Sequence, residues 1–243
     1  MNKKKFTSLV ITGAFLLTMP FNAFAKEEGK QDGHGHKKVE YVSLGDSLAA
    51  GQTPYGKIDL GYPDYLADKF KEERKKVEFD NFGVPGYTSV DLVHDVLTDK
   101  EVRKEIKQAS HITIDIGAND LLPVLRNNRA LVPQTIASIS DNIQTILSEI
   151  DKLNRKVDVY VMGYYNPYPY LPQQDQAALL PVLKALNGQI ERKADINGDT
   201  YVPTETVIAS KYMEYLPNPY DIHLSLSGYE AVADEFWKAI END

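Results

Sequence analysis

Strand-like and helix-like segments alternate along this chain, and that alternation constrains its fold more than any other feature. VEYVSL (39–44), VEFDNF (77–82), HITIDIG (111–117), VDVYVMG (157–163) and the short TYVPTETV (200–207) are rich in β-branched and aromatic residues. Helical spacing fills the gaps. Tyr62, Tyr65, Leu66 and Phe70 mark one helix over 62–74, and TSVDLVHDVL (88–97) follows a Thr or Ser cap. Ile136, Ile139, Ile143, Ile146, Ile150 and Leu153 recur at steps of three and four, the stripe of a long amphipathic helix. Another helix is expected over 175–194, and Tyr229, Val232, Ala233, Phe236, Trp237 and Ile240 mark a closing one. Parallel strands need crossover connections, so this order predicts one α/β domain, a three-layer α/β/α sandwich with a mostly parallel sheet.

In such folds, ligands bind beyond the carboxyl ends of the strands. The first strand runs into Gly45-Asp46-Ser47, the second into Asn81-Phe82-Gly83-Val84-Pro85-Gly86, and the third into Gly117-Ala118-Asn119-Asp120. Asp221-Ile222-His223 precedes the last helix. Taken singly, each is an ordinary turn or helix cap. Four of them on the same predicted side of one sheet point instead to a constructed site.

These blocks resemble those of the SGNH, or GDSL-type, esterase and lipase family. GDSLAAG is similar to its first block, N-x-G-x-x-G to its second, GAND to its third, and the Asp221–His223 region to its fifth. The likeness runs from about residue 41 to 229. It implies a flavodoxin-like sheet and a carboxylic ester hydrolase working through an acyl-enzyme without a cofactor or metal. Carried over position by position, Ser47 is the expected nucleophile and His223 the general base. The oxyanion donors are then the backbone N–H groups of Ser47 and Gly86 and the side-chain amide of Asn119. The family usually spaces its acid and base as Asp-x-x-His, whereas Tyr220 stands three residues before His223 here. Asp221, two before, is the nearest carboxylate; either it or a backbone carbonyl orients the imidazole.

The chemistry requires these residue types. Serine is a weak nucleophile until imidazole takes its proton, and histidine exchanges protons near neutral pH. A side-chain amide donates to a developing oxyanion without bringing a charge of its own. Two substrate classes stay open: lipid-like acyl esters, and acetyl groups on extracellular polysaccharide. A secreted binding protein that kept the fold and lost catalysis is the alternative of another class.

GYYNPYPYLPQQ (163–174) crowds tyrosines and prolines after the fourth strand, and proline blocks regular pairing. Tyr165 and Tyr168 are candidates for the wall of a substrate pocket, with Tyr55 and Tyr62 as weaker ones, because an aromatic ring with a polar tip suits an amphiphilic ligand. DINGD (195–199) has the outline of a calcium loop but lacks its later glycine and glutamate, and reads as a polar turn.

The formal charge of −8 disfavours phosphate backbones, so nucleic acid is not an expected partner. Residues 1–25 join a lysine-rich start, an apolar middle and Ala23-Phe24-Ala25, the layout of a secretory signal peptide cleaved after Ala25. With no cysteine to lipidate or cross-link, the exported domain would carry no lasting membrane anchor and rely on its core. Charged, glycine-containing residues 26–38 read as a flexible leader, leaving 39–243 as the hydrolase domain. Nothing in the sequence specifies an oligomeric state.

Overall fold

The computed structural model describes residues 38–73 and 75–243. The expected signal peptide and nearly all of the leader lie outside them. Lys38, assigned to the leader above, is the first residue of strand β1. In chain order the elements are β1 (Lys38–Gly45), α1 (Tyr62–Glu72), β2 (Lys76–Gly83), α2 (Ser89–Thr98), α3 (Lys100–Gln108), β3 (His111–Asp115), α4 (Ala118–Asn127), α5 (Val132–Leu153), β4 (Asp158–Gly163), α6 (Gln173–Asn197), β5 (Thr200–Pro203), α7 (Glu205–Ser210), α8 (Tyr212–Tyr215) and α9 (Leu226–Asn242).

The five strands form one parallel sheet in the order β2-β1-β3-β4-β5. Helices cover both sides, α1 packing on α9 and α5 packing on α2, α3 and α6. This is the expected three-layer α/β/α architecture, with the doubly wound order 2-1-3-4-5 in which the sense of strand addition switches between β1 and β3. Alternation within strands is weak because both faces are covered: Tyr41, Val42, Ser43 and Leu44 of β1 are all buried. The isoleucine stripe behaves as the periodicity predicts. Ile139, Ile143, Ile146 and Ile150 are buried, each stabilising the fold by about 1.5–3 kcal/mol relative to exposure. Tyr62 stacks on Phe236, 4.8 Å between ring centroids, which fixes α1 to α9.

Three local expectations change. The fifth strand stops at Pro203, where the missing N–H ends the ladder, and TETV turns into α7. GAND is the start of a helix, α4, whose N-cap Gly117 sits at φ +121°. DINGD closes α6, with Gly198 as its left-handed cap at φ +80°.

Candidate active site

β1, β2 and β3 end in register, Gly45 lying beside Gly83 on one side and Asp115 on the other. The loops that follow therefore open on one side of the sheet, at the switch point. Ser47 begins the turn after β1, and the Asn81 side chain, at the end of β2, donates to the Ala49 carbonyl at 2.8 Å and braces that turn. His223 arrives from the loop before α9. Its Nε2 lies 2.8 Å from Ser47 Oγ, across 176 positions of sequence.

Both groups are held from several directions. Tyr229 of α9 donates to the Gln52 carbonyl, Asn218 donates to the Pro54 carbonyl at 2.9 Å, and Tyr165 donates to the Ile222 carbonyl at 2.8 Å. The histidine loop is thus tied to the loop after Ser47 and to the tyrosine segment. Asp221 Oδ1 lies 2.6 Å from His223 Nδ1 and also accepts the His223 backbone N–H at 2.9 Å. Across the shortened Asp-x-His spacing the carboxylate reaches the imidazole by folding back over its own loop. With Nδ1–H directed at a carboxylate, Nε2 carries the lone pair that faces the serine hydroxyl.

The expected oxyanion donors follow the neighbouring ends of β1, β2 and β3. Gly86 follows β2 with φ +88°, a conformation that favours glycine, and a Cβ there would meet no atom within 4 Å. Among the described residues, no acceptor engages the N–H of Gly86 or of Ser47. Asn119, in the first turn of α4, spends one amide hydrogen on the Tyr87 carbonyl at 2.9 Å, which leaves the second for another acceptor. Its neighbour Asp120 plays a different part, accepting from the Ser89 N–H at 2.8 Å and the Ser89 hydroxyl at 2.7 Å to join α4 to α2.

A cavity opens beside Ser47 and Asn119. Leu122 and Leu125 of α4 face Leu179, Val182, Leu183 and Leu186 of α6 across it, with Tyr164, Tyr165 and Tyr168 along the connecting wall. Tyr165 and Tyr168 thus line the cavity. Tyr55 and Tyr62 do not: Tyr55 is exposed, and Tyr62 is fully buried against Phe236. The cavity leucines escape sequence reasoning because helical leucines read as core; a signal for them exists only in the tertiary placement of α4 and α6 on either side of the cavity. Asp46 and Asp115, two further buried acids at the strand ends, were also passed over, the first as a turn residue and the second as a strand position. Among the described residues, no cluster of three or more His, Cys, Asp or Glu is arranged to hold a metal ion.

Residues 43–231 match the model of the GDSL-like lipase/acylhydrolase family, and the chain belongs to that family. It is an ester hydrolase of the GDSL type. It is similar to the uncharacterized protein YpmR of Bacillus subtilis (strain 168), 27% identical over 263 positions that take in 99% of this chain and 98% of that one. Among solved structures, the lipase Lip_vut3 from a goat rumen metagenome superimposes with a TM-score of 0.71 at 21% identity, covering 83% of this chain and 97% of the other. Axe2, an acetylxylan esterase from Geobacillus stearothermophilus, gives 0.63 at 16% identity over 84% and 95%. At these identities the two structures establish a shared fold.

Proposed function

We propose that this protein hydrolyses carboxylic esters whose acyl chain is longer than acetyl, with Ser47 as nucleophile, His223 as general base and Asp221 as the residue that orients the imidazole. The observation that carries the chain-length reading is the leucine-lined cavity beginning at Ser47. An acetyl group would fill only its mouth, whereas each methylene buried beyond it contributes about 0.8 kcal/mol. That favours lipid-like esters over acetylated polysaccharide.

The reaction follows from the groups present. Ser47 Oγ attacks the ester carbonyl carbon while its proton passes to His223 Nε2. Negative charge gathers on the former carbonyl oxygen, which in this reading accepts from the N–H groups of Ser47 and Gly86 and the Asn119 amide. As the tetrahedral intermediate collapses, the C–O bond to the alcohol breaks and the imidazolium returns the proton to the departing oxygen. Water then attacks the acyl-enzyme, His223 takes its proton, and collapse releases the acid and restores the serine hydroxyl. Tyr165 and Tyr168 belong to this reading as walls of the acyl site.

The layout of residues 1–25 supports export with cleavage after Ala25, and N-terminal sequencing of protein recovered from the medium, expected to begin at Lys26, tests it. Hydrolysis of p-nitrophenyl esters from acetyl to palmitoyl, beside release of acetate from acetylated xylan, tests the substrate class. The expected result is a rise in kcat/KM past acetyl, no acetate release from xylan, and loss of turnover in Ser47→Ala. An optimum at acetyl, with xylan deacetylated, would transfer the enzyme to the polysaccharide class.

A further inference from the structure

Two carboxylic acids adjoin the serine turn inside the core. Asp46 and Asp115 are 1% and 0% exposed, and among the described residues neither forms a salt bridge with lysine or arginine. Their proximity is written into the strand ends. Gly45 stands beside Asp115 in the β1–β3 ladder, and any Cβ at position 45 would collide with the Asp115 carboxyl. The Asp46 backbone N–H reaches Asp115 Oδ2 at 3.3 Å and the Asp115 carbonyl at 3.2 Å.

The donors around the two acids differ. Asp46 Oδ1 accepts from the Leu48 N–H at 3.0 Å and lies 3.5 Å from Ser47 Oγ, and Oδ2 accepts from the Tyr164 hydroxyl at 3.4 Å. Asp115 Oδ1 accepts from the Tyr62 hydroxyl at 2.7 Å. Each carboxyl thus has two donors, but Asp46 also feels the charge of His223, while Asp115 faces the Asp46 carboxylate and the Tyr62 hydroxyl. Two carboxylates sharing a buried site without a cation between them retain one proton.

We propose that Asp46 and Asp115 form a single-proton pair, the proton on Asp115 and the negative charge on Asp46, and that this charge fixes the Ser47 turn and stabilises the imidazolium that His223 becomes during turnover. The proposal rests on the assignment of Ser47 and His223 as the reacting pair. Burial raises both carboxyls above the usual range, and the neighbouring anion raises Asp115 well above it. The facing groups agree with one negative charge. Tyr41 from β1, Tyr62 from α1, Tyr164 and Tyr165 from the segment after β4 and Tyr229 from α9 are phenols that burial pushes up, so they stay neutral donors. Beyond the phenols, His223 of the catalytic loop acts on Asp46 itself, and Asp64, Asp120 and Asp221 act on the surrounding Tyr41, Tyr164 and Tyr229. Asp46 is a positioning residue here, since it acts through Ser47 and His223, and Asp115 serves only to hold the proton that leaves Asp46 charged.

Isosteric variants separate the two acids. Asp115→Asn keeps a neutral group able to donate to Asp46 and to accept from Tyr62, so kcat/KM should stay within about threefold of wild type with its pH profile unmoved. Asp46→Asn removes the charge: kcat should fall roughly tenfold and the midpoint of the acid limb of kcat/KM should drop by about one pH unit. A purely structural role would lower the plateau and leave the midpoint in place, and that outcome overturns the proposal. So does an Asp115→Asn variant that reproduces the loss and shift of Asp46→Asn.

Infrared spectroscopy of wild-type protein carrying carboxyl-labelled aspartate avoids dependence on variants that fail to fold and on turnover itself. Burial and Asp151 push Asp199 up to about 7, so spectra at about pH 8.5 largely exclude its protonated form. A protonated-carboxyl C=O stretch that persists there supports the pair, and its absence overturns it. If Ser47→Ala retained ester hydrolysis, the catalytic reading would fail while the band still reported on the pair.

Discussion

Replacing Leu183 by tryptophan tests the acyl cavity where its geometry is most specific. Leu183 lies on α6 across from Leu122 and Leu125 of α4, and it is half-buried rather than locked in the core. Each methylene that enters an apolar wall from water contributes about 0.8 kcal/mol, or about fourfold in kcat/KM. In the wild type, butyryl should therefore exceed acetyl by about 15-fold, and hexanoyl should gain further until the cavity is full. The indole takes up the room of roughly two to three methylenes, so the hexanoyl ester should lose about 15- to 60-fold while the acetyl ester stays within about twofold. Overpacking costs about 1–3 kcal/mol of stability, which thermal unfolding registers separately. The assay is kcat/KM for p-nitrophenyl acetate, butyrate, hexanoate and octanoate at one pH. If acetyl and hexanoyl esters decline together, or the wild-type profile is flat, the leucines of α4 and α6 do not hold the acyl chain.

Three other perturbations have defined outcomes. Asp221→Ala removes the acceptor 2.6 Å from His223 Nδ1, and kcat should fall by about 10³–10⁴ with little change in KM; a loss below tenfold would assign the orienting role elsewhere. Asn119→Ala deletes one oxyanion donor and should cost roughly 10²–10³ in kcat, with binding of a non-reactive ester analogue unchanged. Asp199 has a buried carboxylate oxygen without a partner among the described residues, and burial raises its folded pKa to about 7, above the unfolded value. The protonated form is therefore favoured on folding, and the native state is penalised increasingly as pH rises from the unfolded pKa through about 7. Asp199→Asn should raise Tm at alkaline pH, and the gain should vanish in acid; an equal gain at every pH would exclude titration as its cause.

Much of this was legible from one sequence because the chemistry sits where parallel strands end. Ser47, Gly86 and Asn119 each follow a strand whose composition marks it, Asn81 closes one, and alternation alone assembles them on one side of the sheet. Helix α4 was hidden because GAND has the composition of a turn and Pro123 interrupts the pattern after it. The acid pair was hidden for another reason. Asp115 joins Asp46 only because β3 lies beside β1, and a strand order of 2-1-3-4-5 is not a property of any local segment. The cavity has the same character: Leu122 of α4 and Leu183 of α6 line one space only because the fold brings those helices to opposite walls of it.

The central claim is that Ser47 is the atom donor that becomes acylated, and covalent labelling tests it most directly. The full chain is treated with a fluorophosphonate, residual ester hydrolysis is followed, and the modified peptide is located by mass spectrometry. One label per chain on Ser47, formed in step with the loss of activity and absent in His223→Ala, is the predicted result. An enzyme that keeps its activity with Ser47 fully labelled, or that is inactivated by a label on another residue, would contradict the account.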